Sequence, residues 1–329
     1  MKNLFSIIVL IVFLSLKAFA QCEIEPTIET TGKVLRELKI SAEKTTSAAE
    51  YQLTIKASVK GASWQTKGAE AAILTLFVNG KYNQDVILFA GAEKFDYSVL
   101  LGELPAGENT LSIVLNAARS AQNAKEVRLF SADLKSSAKA ATAQTQPDAK
   151  DSAALRYAPI IYARPDTIDK FSDIPLLIYY EIFPNGENAF KIRYTAVYSN
   201  EDGGTQTAAL MARWGRATDI EWVYEIEFRD DAIASEIYQG ANHETRTFDG
   251  KRAFGAHPLV FDVTVNNNFS DAGCSELRFA PLPIRADLSK KSRETVMDEN
   301  AWTYRIMAQE AIREGRVNGA KLDANTIAD

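Results

Sequence analysis

The feature that most constrains the fold is a strict alternation of apolar and polar side chains. Tyr51, Leu53, Ile55, Ala57 and Val59 fall on one face of an extended segment, with Gln52, Thr54, Lys56 and Ser58 on the other. A period of two is that of a half-buried strand and conflicts with a helix, whose side chains repeat every 3.6 residues. Leu111, Ile113 and Leu115 repeat the pattern, and Val127 and Leu129 mark a last strand. Turn signals divide these runs. Leu74 to Val78 leads into Asn79-Gly80, a dipeptide suited to a two-residue hairpin, and Val86 to Phe89 returns. Leu104-Pro105-Ala106-Gly107 is a second turn. Short strands parted by turns predict an antiparallel Ig-like or jelly-roll-like β-sandwich over residues 21–134.

Residues 135–154, KSSAKAATAQTQPDAKDSAA, are small and polar and offer a core nothing large, so they read as a linker. Strand patterns resume at 160–163, 176–182, 190–199, 221–228 and 259–265, with Pro184-Asn185-Gly186 as a turn. Asp298 can cap a helix running to about Glu314, with Trp302, Ile306, Ala308 and Ile312 as apolar anchors. The expected fold is mainly β: two antiparallel β-sandwich domains joined by a linker, the second spanning 155–329 with the C-terminal helix packed on it.

The first residues predict export. Lys2 gives a positive start, 4–16 is an apolar run broken only by Ser6 and Ser15, and Ala18-Phe19-Ala20 offers a small-x-small cleavage site, making 1–20 a signal peptide. The apolar run is too short for an easy membrane span, so no transmembrane anchor is expected after cleavage. Removing Lys2 and Lys17 leaves 35 basic residues of the original 37 against 43 acidic ones, a formal charge of −8. An acidic chain without a Lys/Arg stripe excludes nucleic acid as the expected partner. Cys22 and Cys274 are the two cysteines. In an oxidising compartment they would pair, closing a loop worth roughly 5 kcal/mol as an upper limit in the chain-entropy picture; two separate thiols are the alternative.

No Gly-x-Ser-x-Gly elbow, His-Glu-x-x-His helix, glycine-rich phosphate loop or calcium-hand loop occurs. The richest chemistry lies in 219–228, DIEWVYEIEF. As a regular strand this would bury Ile220, Trp222, Tyr224, Ile226 and Phe228 and turn Asp219, Glu221, Glu225 and Glu227 to the other face. Carboxylates two residues apart start about 7 Å from each other and can share a hard cation such as Ca²⁺ or Mg²⁺, or bind polar ligand groups. An outward row of acids on a solvated sheet face is the alternative. His243 and His257, the chain's two histidines, both follow this strand closely and supply imidazole for a metal or for proton transfer. Asp202, in Asn200-Glu201-Asp202-Gly203-Gly204, and the run Asn266-Asn267-Asn268 add oxygen ligands or simply turns.

Gly215-Arg216-Ala217-Thr218-Asp219-Ile220-Glu221-Trp222-Val223 resembles the Gly-His-Arg-His-Asp-Trp-Glu signature of the necrosis-inducing secreted proteins of plant pathogens. It is also similar to the Gly-Asp-Trp-Glu signature of a plant and fungal family related to a yeast vacuolar-sorting factor, whose domain opens much like Tyr157-Ala158-Pro159-Ile160-Ile161-Tyr162. The resemblance spans residues 157–272. Both families are β-rich, and in the first the motif's Asp and Glu help bind a divalent cation used to recognise membrane glycolipids. Asp219 and Glu221 match those two positions. Thr218 stands where the family has His, and Ile220 where it has Trp, so His243 would have to supply the imidazole. The resulting expectation is an exported protein of the cell envelope or exterior. It would bind a glycan or lipid headgroup through Asp219, Glu221 and His243 with cation help, His257 and Asp202 being secondary. A metal-assisted hydrolase using the same cluster, or a structural accessory protein without a small ligand, are the alternatives.

Overall fold

Tyr51, Leu53, Ile55, Ala57 and Val59 are all buried along one strand, as their spacing requires. The computed structural model describes residues 32–42, 49–137, 149–164, 171–201 and 205–317. The signal (1–20), Cys22 with its pairing to Cys274, and Asp202 lie outside the described residues. The first half holds β1 (Lys33–Ala42), β2 (Glu50–Lys60), β3 (Ile73–Val78), β4 (Lys81–Ile87), β5 (Phe95–Glu103), β6 (Gly107–Leu115) and β7 (Glu126–Ser136). They form two sheets, β1-β6-β3-β4 and β5-β2-β7, all antiparallel, with a shared apolar core. At the β3–β4 turn both Asn79 (φ 52°) and Gly80 (φ 75°) are left-handed, the backbone a tight hairpin of this hand needs.

The second half begins with α1 (Ala149–Arg156) and β8 (Ile160–Tyr162), followed by β9 (Pro175–Pro184), β10 (Ala189–Tyr198) and α2 (Thr207–Trp214). Then come β11 (Ile220–Arg229), β12 (Ala232–Gln239), β13 (Thr245–Thr247), β14 (Arg252–Ala253), β15 (His257–Asp262) and β16 (Phe269–Ser270). The chain continues through β17 (Arg278–Phe279), β18 (Ile284–Arg285), α3 (Glu294–Glu299) and α4 (Trp302–Arg313). A six-stranded sheet, β13-β12-β11-β10-β9-β18, packs its inner face against the smaller sheet β14-β15-β8-β17. No helix among the described residues is long and apolar enough to cross a membrane.

Three expectations change. Residues 135–136 belong to β7 and 149–154 to α1, where Ala154 is buried, so the stretch taken as linker is structured at both ends. The pairings are not purely antiparallel, because β15–β8 and β18–β9 run parallel. The halves also do not part as two separate sandwiches. Segment 280–282 extends the β5 edge, with Leu100 N donating to Ala280 O at 2.8 Å and Leu282 N to Ser98 O at 2.9 Å. At the other end of β5, Glu103 N donates to Phe254 O at 2.8 Å. Backbones meet so closely there that a Cβ on Gly102 would overlap Phe254, and the φ of 80° at this residue is itself one that glycine adopts freely.

The terminal helix is not confined to the second half. Trp302 stacks on Phe89 at 5.4 Å, and fully buried Glu310 accepts hydrogen bonds from Trp64 Nε1 (2.8 Å) and Asp173 N (2.9 Å). Of the expected anchors, Ile306 is buried while Trp302, Ala308 and Ile312 are half-buried; Met307, Glu310 and Ala311 complete the buried stripe. A cleft of about 240 Å³ remains between the halves, lined by Phe89, Phe95, Tyr97 and Trp302 among others.

Candidate functional site

The site begins with an irregularity in β11. Opposite β10, Tyr224 pairs with Tyr194 and Trp222 with Thr195, so Val223 is an extra residue without a partner. A bulge of this kind lets two successive residues point the same way and re-aims everything on one side of it. Val223, Tyr224, Ile226 and Phe228 enter the inner core, whereas Ile220 joins the outer cluster of Leu177, Tyr179, Val197, Val296 and Met297. The regular alternation expected for 219–228 is thereby corrected. Glu221, opposite Ala196, and Asp219, opposite Tyr198, turn inward; Glu225 and Glu227, opposite Arg193 and Lys191, turn outward.

Inward, Asp219 and Glu221 hydrogen-bond to each other. Asn267 Nδ2 donates to Asp219 Oδ2 at 3.1 Å and Gln239 Nε2 to Glu221 Oε2 at 2.5 Å. Burial, and then the Glu221 charge, push the Asp219 carboxyl up to about 7. Burial also raises Glu221, with the Gln239 amide opposing it. Adjacent desolvated acids cannot both ionise cheaply, so the pair holds one proton between them.

His243 stands on the solvent side of the pair, with a side chain 52% exposed and its Nδ1 3.7 Å from Glu221 Oε2. Three amide nitrogens surround the ring, Gln239 at 3.2 Å and Asn268 at 3.4 Å from Nδ1 and Asn266 at 3.0 Å from Nε2, and an imidazole accepts from those at no more than one of its two nitrogens. Asn242, His243 and Asn267 all have left-handed backbones, conformations that cost non-glycine residues energy and gather at functional sites. Deeper in, Asn267 Nδ2 also donates to Asp173 Oδ1 at 2.9 Å, and Arg164 bridges Asp173 (3.1 Å) and Asp262 (3.8 Å). The buried hydroxyl of Tyr198, which feels the charges of Asp262, Asp173 and Asp219, has no hydrogen-bond partner among the described residues.

Asp219, Glu221 and His243 are therefore brought together. His257 is not among them. Its ring is enclosed at the start of β15, with Nδ1 2.8 Å from Ala158 O and Nε2 3.0 Å from Glu50 Oε2. Asp262, which belongs to the network through Arg164, stands at the far end of β15, about 16 Å along the strand from His257. His257 instead joins the two halves, with Glu50 of the first half and Ala158 of the second at its two ring nitrogens. The donor set does not fit a divalent cation either. Among the described residues no three His, Cys, Asp or Glu side chains gather as ligands, and Asp219 and Glu221 each face an amide N–H where a cage would supply oxygen.

Sequence reasoning noticed Asn266 to Asn268 but missed Gln239, Tyr198, Asp173 and Arg164. Each arrives from a different element and carries no local motif. No protein-family model matches the chain, and no curated protein matches it. The resemblance to the necrosis-inducing and vacuolar-sorting-related families thus gains no support from these comparisons. Among solved structures, the chain is similar over 32% of its length to the C-terminal domain of EclA, described as a sugar-binding protein, at 18% identity, 68% of that chain and a TM-score of 0.25. Over 32% of its length it is also similar to the CBM36-1 domain of a multidomain xylanase from the hindgut metagenome of Trinervitermes trinervoides, at 13% identity, 72% of that chain and a TM-score of 0.22.

Proposed function

We propose that the protein is an exported binding protein whose second half captures a hydroxyl-rich ligand, a glycan or a lipid headgroup, at a mouth around His243, Glu221 and Asn266. One observation carries this reading: the bulge at Val223 swings a carboxyl pair inward beneath an imidazole ringed by three amides. Carboxylates, amides and an imidazole are groups that donate to and accept from hydroxyls at fixed angles, and a pre-built network loses little freedom on binding. The donor set favours direct recognition over recognition through a cation. Export rests on residues 1–20. A hydrolase using the same Asp219, Glu221 and His243 cluster is the alternative, with His243 as its proton carrier because His257 lies enclosed elsewhere.

The test is a glycan array probed with the chain lacking residues 1–20, followed by calorimetric titration of the strongest ligand. His243→Ala and Glu221→Gln should each weaken binding about tenfold, a loss of about 1.4 kcal/mol, without changing the melting temperature by more than a few degrees. EDTA should leave affinity unchanged. Wild-type protein that binds nothing on the array, or variants that bind as it does, would end this reading.

A further inference from the structure

The residues that the bulge turns outward form a surface of their own. Three cross-strand rows cover the outer face of the large sheet: Tyr179–Thr195–Trp222, Glu181–Arg193–Glu225 and Phe183–Lys191–Glu227, on β9, β10 and β11. The Arg193 guanidinium lies between two aromatic rings, 5.5 Å from Trp222 and 5.6 Å from Phe183. Both rings are half-buried, and they stand on strands two apart, about 10 Å across the sheet. The cluster formed with α3 and residues 286–288 covers the Tyr179 end of this face. Beyond it Arg193 remains 42% exposed.

The charges between the rings balance. Glu225 is held by Arg193 (2.6 Å) and Lys191 (3.2 Å), and Glu227 by Arg229 (3.0 Å), Asn185 (2.9 Å) and Ser235 (3.3 Å). Burial raises Glu181, which Arg193 opposes. Three acids thus face three bases, and a charged ligand finds no net field here. A ring that presents an apolar C–H face and a hydroxyl edge does find partners: aromatic surface for the face, and fixed carboxylates and a guanidinium for the edge.

We infer that this face is a second ligand site, separate from the mouth around His243. It takes a neutral oligosaccharide, with sugar rings packed on Trp222 and Phe183 and hydroxyls bonded to Arg193 and Glu181. The inference is independent of the reading given for the mouth.

The experiment uses the chain lacking residues 1–20 and three probes, the β-1,4-linked hexasaccharides of glucose, xylose and mannose, followed by tryptophan fluorescence and calorimetry. At least one should bind saturably with a change in emission. Trp222→Ala and Phe183→Ala should each reduce that affinity about tenfold or more, while His243→Ala leaves it unchanged. Because Trp222 and Arg193 adjoin the bulge, Phe183→Ala serves as the variant away from it, and Phe183→Ala and Arg193→Gln are each checked for an unaltered melting temperature. The inference is overturned if none of the three sugars binds at millimolar concentration, or if Phe183→Ala and Arg193→Gln bind as wild type. It is equally overturned if His243→Ala abolishes binding, or if sedimentation shows the face buried in a dimer that Phe183→Ala dissolves.

Discussion

Arg278→Ala should lower the unfolding free energy by about 4 kcal/mol and destabilise both halves of the molecule together, not the second alone. The side chain leaves β17 and crosses into the first half. There Nε donates to Asn83 O at 2.6 Å and Nη2 to Tyr82 O at 2.7 Å, while Nη1 donates to Tyr162 Oη at 2.9 Å. Its guanidinium also lies 4.4 Å from the Tyr82 ring and 4.8 Å from that of Phe254. Alanine would strand two carbonyls in a dry junction and open a cavity between aromatic rings, two costs that add. Lysine, with one compact ammonium in place of a planar fork, should recover only part of the loss. Urea unfolding followed by far-ultraviolet circular dichroism and by near-ultraviolet signals should show a single transition shifted to lower denaturant. Two separable transitions in the wild type, or a loss below about 1 kcal/mol, would refute a shared junction.

That junction is the part of the fold that was not legible in the sequence. The strands themselves were. Tyr51 to Val59 alternates because one face of β2 meets a core and the other half-meets solvent, and the backbone at Asn79-Gly80 admits few other solutions. Such signals are local. Arg278, by contrast, looks like any charged residue flanking Leu277 and Phe279, and nothing nearby in sequence announces that Asn83 and Tyr82 will receive it. Gly102 gives no warning of Phe254, nor Glu310 of Trp64. The small, polar character of 135–154 suggested a tether between independent domains, yet independence is a property of surfaces that meet far from any tether.

The candidate site was legible in identity and not in orientation. Asp219, Glu221 and His243 do converge, but for a reason the alternation of 219–228 hid. A regular strand would have placed all four acids on one face. Val223 as an extra residue sorts them into an inward pair and an outward pair, and a bulge depends on partner register, which no single strand specifies. His257 stands apart from that cluster for a related cause. Its proximity in sequence to the acidic strand said nothing of Glu50, which encloses it from the other half.

Between about pH 5 and about pH 8 the protein should lose stability, with a melting temperature lower by about 10 °C at the alkaline end. Burial pushes Asp219 and Glu310 up to about 7 and Asp85 up to about 6, and it moves Glu181, Glu201 and Glu221 in the same direction. In the unfolded chain such acids release their protons near pH 4. Folding in this window therefore takes up protons, so their stabilising contribution is complete below that value and disappears as pH climbs through 6 and 7. A shift of about three pH units on one group corresponds to roughly 4 kcal/mol, and the Asp219–Glu221 pair counts once because it shares a proton. Glu227, Asp287 and Glu294 shift downward; their contributions are complete above the usual carboxylate range and leave this window untouched. Asp219→Asn isolates the pair. Its amide keeps the oxygen that accepts from Asn267 and offers Glu221 a permanent N–H where the acid offers a titrating O–H. The variant should match wild type near pH 5 and exceed it near pH 8, removing about half of the fall. A wild-type melting temperature that is flat or rising across this range would show that these carboxyls are ionised in the folded protein. An Asp219→Asn profile parallel to wild type would place the titrating proton elsewhere, and with it would go the picture of a dry, proton-sharing pair beneath His243.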